Sequence, residues 1–228
     1  CGTYVQNGLG ASKEIATAES PEAKFNLNPE QCISEDIEAI NTTIPGSYPT
    51  SSGTCAGEVN YDWQVKKPSF SDFLPVSLLN SSWVVGDDLL IPASDVDEVG
   101  CWEIKLIAVN PAACLAESVY TDTVNIEDIP DADFNDIGDI CQNQQITLTD
   151  ASNIIEATCD PTLPNETPTY VWTVSPNTGY TLGNDTDGNP TTLNSQNPVI
   201  SFNEVGTYTV DLTVTTECGS DTHSETFD

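Results

Sequence analysis

The chain has 228 residues, with Lys plus Arg at 5 against Asp plus Glu at 36, a formal charge of −31. Such a surface repels nucleic acid and anionic membrane, which are bound through Lys and Arg. No apolar run approaches the roughly 20 residues that a membrane-spanning helix needs, so direct membrane insertion is not expected. Cations, basic proteins and neutral glycans remain as partners, and the length suits two domains that each bury a core.

There are eight Cys and one His, and no Cys-x-x-Cys pair occurs. That argues against zinc and iron–sulfur ligation. Dispersed Cys in a chain rich in Thr, Ser, Asn and Asp and poor in Lys favour disulfides and an oxidising, extracellular setting. The absence of Met reads as an internal fragment or a processed chain.

Residues 1–20 begin Cys1-Gly2 and continue polar, as does the stretch from Cys218-Gly219 onward. They are expected to be the end of a preceding repeat or a linker. A first unit then spans 21–129 and a second 130–228. Pro21-Glu22-Ala23-Lys24-Phe25 is matched by Pro130-Asp131-Ala132-Asp133-Phe134, 109 residues on. Cys32 and Cys141 keep that offset, and so do Trp63 and Trp172. Three landmarks at one spacing indicate an internal repeat.

Within each unit, alternation of apolar and polar residues predicts short strands. The first such strand covers Ile37 to Ile40, or Ile146 to Leu148 in the second unit. The Cys32–Ile40 stretch has a short helix as its alternative. A long Pro/Ser/Thr/Asn loop carries Cys55 or Cys159, and strands around Trp63 and Trp172 follow. Glu98-Val99-Gly100 and Glu204-Val205-Gly206 introduce the clearest alternation, Cys101 to Val109 and Thr207 to Val214. Trp63, Trp102, Trp172 and Tyr208 fall on inward positions and are expected in the core. Hairpins with Cys114 or Cys218 lead to the last strands. The fold class is therefore all-β, with tandem immunoglobulin-like β-sandwiches.

Pro-x-Ala-x-Phe, a following Cys, Tyr170-Val171-Trp172 and Asn197 to Val214, with its Gly-Thr-Tyr-Thr-Val core, resemble the PKD (polycystic kidney disease) domain. The first unit carries a degenerate version, with Trp102 where Tyr208 stands. The usual Trp-x-Phe-Gly-Asp-Gly turn is missing from both units. The resemblance implies surface adhesins of Bacteroidota, of the SprB gliding-motility kind, exported by type IX secretion. It implies a disulfide-stapled spacer in a cell-surface filament, partnered by neighbouring repeats of the same chain and by surface glycans or other cell-surface proteins. The competing reading is a carbohydrate-binding accessory module of a secreted hydrolase, and a third is a self-polymerising filament subunit. Asp122-Thr123-Val124 fits the O-glycosylation pattern of those bacteria, which makes Thr123 a candidate.

In a sandwich of this strand order, Cys55–Cys114 and Cys159–Cys218 would join loops at one end and Cys32–Cys101 at the other. Cys1 and Cys141 would be left for neighbouring units or for each other. The alternative scheme joins Cys32 to Cys114 and Cys141 to Cys218. Asp185-Thr186-Asp187-Gly188-Asn189 resembles the opening of a calcium loop without its closing Glu. The linker acids Glu127, Asp128, Asp131 and Asp133 are a second candidate calcium site, and Asp95, Asp97 and Glu98 form a third acidic cluster. No nucleophile or metalloprotease motif occurs, so no catalytic residue is expected. Trp83 and Tyr48 are the candidates for a glycan platform. Asn41, Asn80, Asn165 and Asn184 lie in Asn-x-Ser/Thr sequons, relevant only to a eukaryotic source.

Overall fold

The computed structural model describes residues 19–50, 53–80, 83–111, 117–155, 159 and 167–228. Two compact units divide the chain. One is Cys1–Ile126 with Ala157–Asp160; the other is Glu127–Glu156 with Pro161–Asp228.

The strands of the first unit are β1 (Phe25–Leu27), β2 (Glu30–Cys32), β3 (Ile37–Asn41), β4 (Ser47–Thr50), β5 (Gly53–Ala56), β6 (Asn60–Lys66), β7 (Leu74–Pro75), β8 (Val84–Val85), β9 (Leu89–Ile91), β10 (Gly100–Val109) and β11 (Glu117–Glu127). A one-turn helix, α1 (Val76–Leu79), follows β7. One sheet has the order β1-β3-β9-β8 and the other β2-β11-β10-β6-β7; β4 and β5 form a separate hairpin. This is an immunoglobulin-like sandwich, in which the chain leaves the first sheet after β1 and joins the second as β2. The Cys32–Ile40 stretch is a turn leading into strand rather than a helix: Ile33–Asp36 make the turn, and Ile37 and Ala39 of β3 are buried at a two-residue period.

The second unit contains β12 (Gln145–Thr147), β13 (Thr169–Ser175), β14 (Tyr180–Leu182), β15 (Val199–Phe202), β16 (Tyr208–Thr216) and β17 (Gly219–Phe227). Its sheets are β12-β15-β14 and β13-β16-β17. The segment before β12 is held by the isolated bridges Asp131↔Asn153 and Phe134↔Asp150. All five Lys/Arg residues of the chain, Lys13, Lys24, Lys66, Lys67 and Lys105, precede this unit.

Both cores follow from the alternation. Trp102, Ile104, Leu106 and Ala108 of β10 are buried, as are Tyr208, Val210, Leu212 and Val214 of β16. Each fully buried large apolar side chain contributes about 1.5–3 kcal/mol. The two cores repeat one another closely. Phe25 lies 5.1 Å from Trp63 at 59°, and Phe134 lies 5.1 Å from Trp172 at 57°. Tyr120 meets Phe25 edge-on at 5.0 Å, and His223 meets Phe134 edge-on at 4.9 Å. Each indole N–H finds a backbone carbonyl, that of Asp87 for Trp63 (3.3 Å) and of Ser195 for Trp172 (3.1 Å).

The replacement of Tyr208 by Trp102 also keeps its hydrogen bond. The Tyr208 hydroxyl lies 3.2 Å from the Glu204 carbonyl and 3.1 Å from that of Gly179. The Trp102 indole N–H donates to the Glu98 carbonyl at 2.9 Å. In both units the strand is tied to the carbonyl four residues upstream, an arrangement typical of immunoglobulin-like sandwiches. Gly179 is at φ +80, and a Cβ there would meet the Tyr208 hydroxyl. Glycine is therefore required on both counts.

Candidate functional site

The most distinctive chemistry lies in the cysteines. Cys101 stands opposite Asn125 in the β10–β11 ladder. Cys101 is disulfide-bonded to Cys159, with the Cα atoms 5.2 Å apart. Asn125 is buried, and its Oδ1 accepts from the Cys159 backbone N–H at 2.8 Å. The Asn125 N–H in turn donates to the Pro29 carbonyl at 2.8 Å. A buried amide side chain thus fixes the backbone that presents Cys159 to Cys101.

This bond corrects the expected Cys32–Cys101 and Cys159–Cys218 pairs. The expectation confined each bond to its own sandwich, whereas Cys159 groups with the first unit. Cys32 and Cys218 are disulfide-bonded as well. Cys141 is an exposed free thiol, which removes the alternative Cys141–Cys218 bond. Cys1 and Cys114 lie outside the described residues. Cys55 is described by its backbone alone, opposite Tyr48 on the β4–β5 hairpin.

Cys32 and Cys141 open the same turn. The Cys32 N–H donates to the Glu35 carboxylate at 3.2 Å, and the Cys141 N–H to Gln144 Oε1 at 3.1 Å. The Glu35 N–H returns to the Cys32 carbonyl and the Gln144 N–H to that of Cys141. The residue two past each Cys has positive φ, Ser34 at 65 and Asn143 at 62.

The calcium candidates are engaged within their own loops. Asp185 Oδ1 accepts from the N–H groups of Asp187 (2.9 Å) and Asn189 (2.8 Å), and Oδ2 from the Asn189 amide at 3.2 Å. The Asn189 backbone and side-chain donors hold the Asp185 carboxyl below its ordinary 3.8. Asp187 and Asn189 thus serve this turn through their N–H groups. Asp131 takes part in the backbone bridge to Asn153. Asp133 Oδ1 accepts from the Phe134 N–H at 2.8 Å and lies 3.6 Å from His223 Nε2. Among the described residues, no group of three or more His, Cys, Asp or Glu is arranged to hold a metal ion.

The acidic cluster at Asp95, Asp97 and Glu98 is likewise structural. Asp95 Oδ2 accepts from the Trp83 indole at 2.7 Å and from the Asn80 amide at 2.8 Å. Asp97 pairs with Lys67 at 2.6 Å, and Lys67 lies 4.7 Å over the Trp102 ring. Glu98 accepts from the Ser69 N–H and hydroxyl. Trp83 is 5% exposed, so it offers no platform to a glycan. The side chain of Tyr48 lies outside the described residues.

Two features had no counterpart in the sequence reading. On β17, Glu225 accepts from the Ile137 N–H. Burial, then a shared hydrogen bond with Asp136, pushes its carboxyl above the ordinary 4.5, while the Ile137 N–H acts in the opposite direction. The outer face of β13-β16-β17 is a ladder of hydroxyls, with Thr209–Thr226 at 2.9 Å and Thr213–Thr222 at 2.8 Å. Asp211 accepts from Thr173 at 2.9 Å and from Ser224 at 2.5 Å. The alternating Thr of β16 was the available signal for this face. Thr123 sits on β11 opposite Glu103, and its side chain is half-buried.

No family model matches the chain, and no curated protein matches it. Similar solved structures include the N-terminal eight Ig domains of Down Syndrome Cell Adhesion Molecule, at 12% identity and TM-score 0.48. That match covers 92% of this chain and 27% of the other. A Dscam structure, at 11% identity and TM-score 0.42, covers 93% of this chain, which spans 46% of it. Murine CEACAM1b, at 11% identity and TM-score 0.44, is covered over 99% of its length by 91% of this chain.

Proposed function

We propose that the chain is a structural spacer segment of an extracellular, cell-surface adhesin or filament, built from two disulfide-stapled β-sandwiches. One observation carries the reading. Cys101 is joined to Cys159 across 58 residues, so a long stretch of chain is closed into a covalent loop. A bond of that kind persists in oxidising compartments and limits extension when the ends are pulled. The formal charge of −31 adds solubility and self-repulsion between segments. The internally satisfied Asp95, Asp185 and Trp83 support a structural role over a ligand-binding one. The glycan-binding accessory module loses one of its two candidate residues, Trp83.

The finer assignment, a PKD-like repeat of a gliding-motility adhesin exported by type IX secretion, rests on the Gly206 to Val214 motif and its partner at Gly100. Partners are then neighbouring repeats and other cell-surface molecules, with Thr123 as an O-glycosylation site. Antibody against residues 1–228 is expected to label intact cells, and the purified chain is expected to give no binding above background on a glycan array. Glycan binding above background, or labelling only after cell lysis, would overturn the spacer reading.

A further inference from the structure

We propose that Asn125 is the positioning residue that selects Cys159 as the disulfide partner of Cys101. That bond also carries the spacer reading; Asn125 is what directs its formation. Chain length does not choose the partner. Cys114 and Cys141 both lie nearer to Cys101 in sequence than Cys159 does, and a shorter loop costs less entropy to close. Yet Cys141 is an exposed free thiol, and Cys101 is joined to a residue 58 positions away.

The local geometry supplies a selecting device. Asn125 stands directly opposite Cys101 in the β10–β11 ladder, which puts the two side chains on one face of the sheet. Asn125 is 2% exposed, and its N–H donates to the Pro29 carbonyl at 2.8 Å, so its amide is held in place. Its Oδ1 accepts from the Cys159 N–H at 2.8 Å. The residue that captures the Cys159 backbone is therefore the cross-strand neighbour of the sulfur that Cys159 must reach. Cys159 Sγ also lies 3.5 Å from the carbonyl oxygen of Val124, the preceding residue of β11. In the reduced chain that carbonyl can accept a hydrogen bond from the thiol. Neither hook depends on the bond between the sulfurs.

The second unit gives an independent comparison. Cys101 and Asn125 lie one position outside the Trp102↔Val124 pair. Thr207 and Asp228 lie one position outside the corresponding Tyr208↔Phe227 pair. There the Thr207 hydroxyl donates to Asp228 Oδ1 at 2.6 Å. Without a cysteine at this position, the two facing side chains satisfy each other. With Cys101 in place, the facing side chain is an amide that reaches to Cys159 instead.

The chemistry is thiol–disulfide exchange, with a small-molecule or protein disulfide as the oxidant. One of the two thiols loses its proton, and the thiolate attacks a sulfur of the oxidant, releasing the other half as a thiolate. The second cysteine, also as thiolate, attacks the protein sulfur of the mixed disulfide and displaces the remaining half. The two protein thiols have given up two protons and two electrons, and the oxidant is reduced to two thiols. Asn125 takes no part in the electron transfer. It holds the second sulfur beside the first, which raises its effective concentration for the closing attack.

The test uses the whole 228-residue chain, reduced and then reoxidised with glutathione disulfide. Samples are alkylated at intervals and digested without reduction, and peptides containing Cys101 are followed by mass spectrometry. The parent is expected to yield the Cys101–Cys159 peptide. Asn125→Ala is expected to form it about tenfold more slowly, the worth of one hydrogen bond, with Cys101 recovered alkylated or joined to Cys141. Asn125→Asp keeps Oδ1 and is expected to restore the pairing. Asn125→Ala that pairs Cys101 with Cys159 as fast and as cleanly as the parent would overturn the proposal.

A second measurement decides the matter even where Asn125→Ala fails to fold. The Cys101→Ser chain retains Asn125 and cannot form the bond. Its Cys159 amide is expected to exchange with deuterium at least about tenfold more slowly than in an unstructured peptide. Exchange at the unstructured rate would show that Asn125 does not capture Cys159 beforehand, and would overturn the proposal. A parent chain lacking the Cys101–Cys159 peptide would overturn the spacer reading as well, whereas the other adverse results leave that reading standing.

Discussion

Cys101, opposite Asn125 near the start of β10, is covalently joined to Cys159, a residue 58 positions further on whose backbone that same Asn125 holds. The bond encloses β10, β11 and β12 in one loop. Replacing both cysteines by Ser is expected to lower unfolding free energy by about 2–4 kcal/mol, chiefly by freeing the unfolded chain. Urea denaturation of the double variant measures it. An unchanged midpoint would show that the bond contributes nothing to stability.

Trp172→Ala removes the indole that packs on Phe134 and donates to Ser195. At 1% exposure, the truncation is expected to cost about 3–5 kcal/mol. Loss of near-ultraviolet signal at lower denaturant, with Trp63 reporting the first unit separately, would register it. A cost below about 1 kcal/mol would contradict a core role.

Trp83→Phe keeps the ring and deletes the donor to Asp95 Oδ2. Leaving that acceptor short of a partner is expected to cost about 1–3 kcal/mol. Thermal unfolding is the readout, and a variant as stable as the parent would contradict the assignment.

Glu225 gives a pH dependence of definite sign. Its folded pKa lies above the ordinary 4.5, first through burial and then through Asp136. Above 4.5 the folded state therefore holds the proton more tightly than the unfolded one. Stability from this group falls as pH rises through the folded value. Glu225→Gln still accepts from the Ile137 N–H and cannot ionise, so it removes that fall. Urea midpoints of variant and parent, compared from about pH 4 to pH 7, are expected to diverge in favour of the variant as pH rises. Divergence in the other direction would contradict the account.

Because Asp185 spends both oxygens inside its own loop, calcium or a chelator is expected to leave the melting temperature unchanged. A rise with calcium that disappears on Asp185→Asn would contradict this.

Alternation made β10 and β16 readable from the residues alone, because a strand with one buried face writes its period into the chain. Trp63, Trp102, Trp172 and Tyr208 were placed in the core by that reasoning, and all are buried. The partner of Cys159 was not readable, because disulfide pairing depends on where a long loop travels, and no local pattern records that. Trp83 was misplaced for a related reason. It lies in no alternating segment, and its burial depends on Asp95, twelve residues on, accepting from its indole. The acidic loops looked like ligand sites because oxygen-rich turns and calcium loops share a composition. Only the positions of the N–H groups show that Asp185 is already satisfied.

Single-molecule stretching of the 228-residue chain between its ends, with and without reductant, tests the stapled-spacer account most directly. The separation of 58 residues from Cys101 to Cys159 corresponds to at least about 190 Å of extended chain. The fully unfolded, oxidised protein is expected to stop short of the reduced one by that length or more. Equal extensions in the two conditions would show that no such staple closes the chain, and would contradict the account.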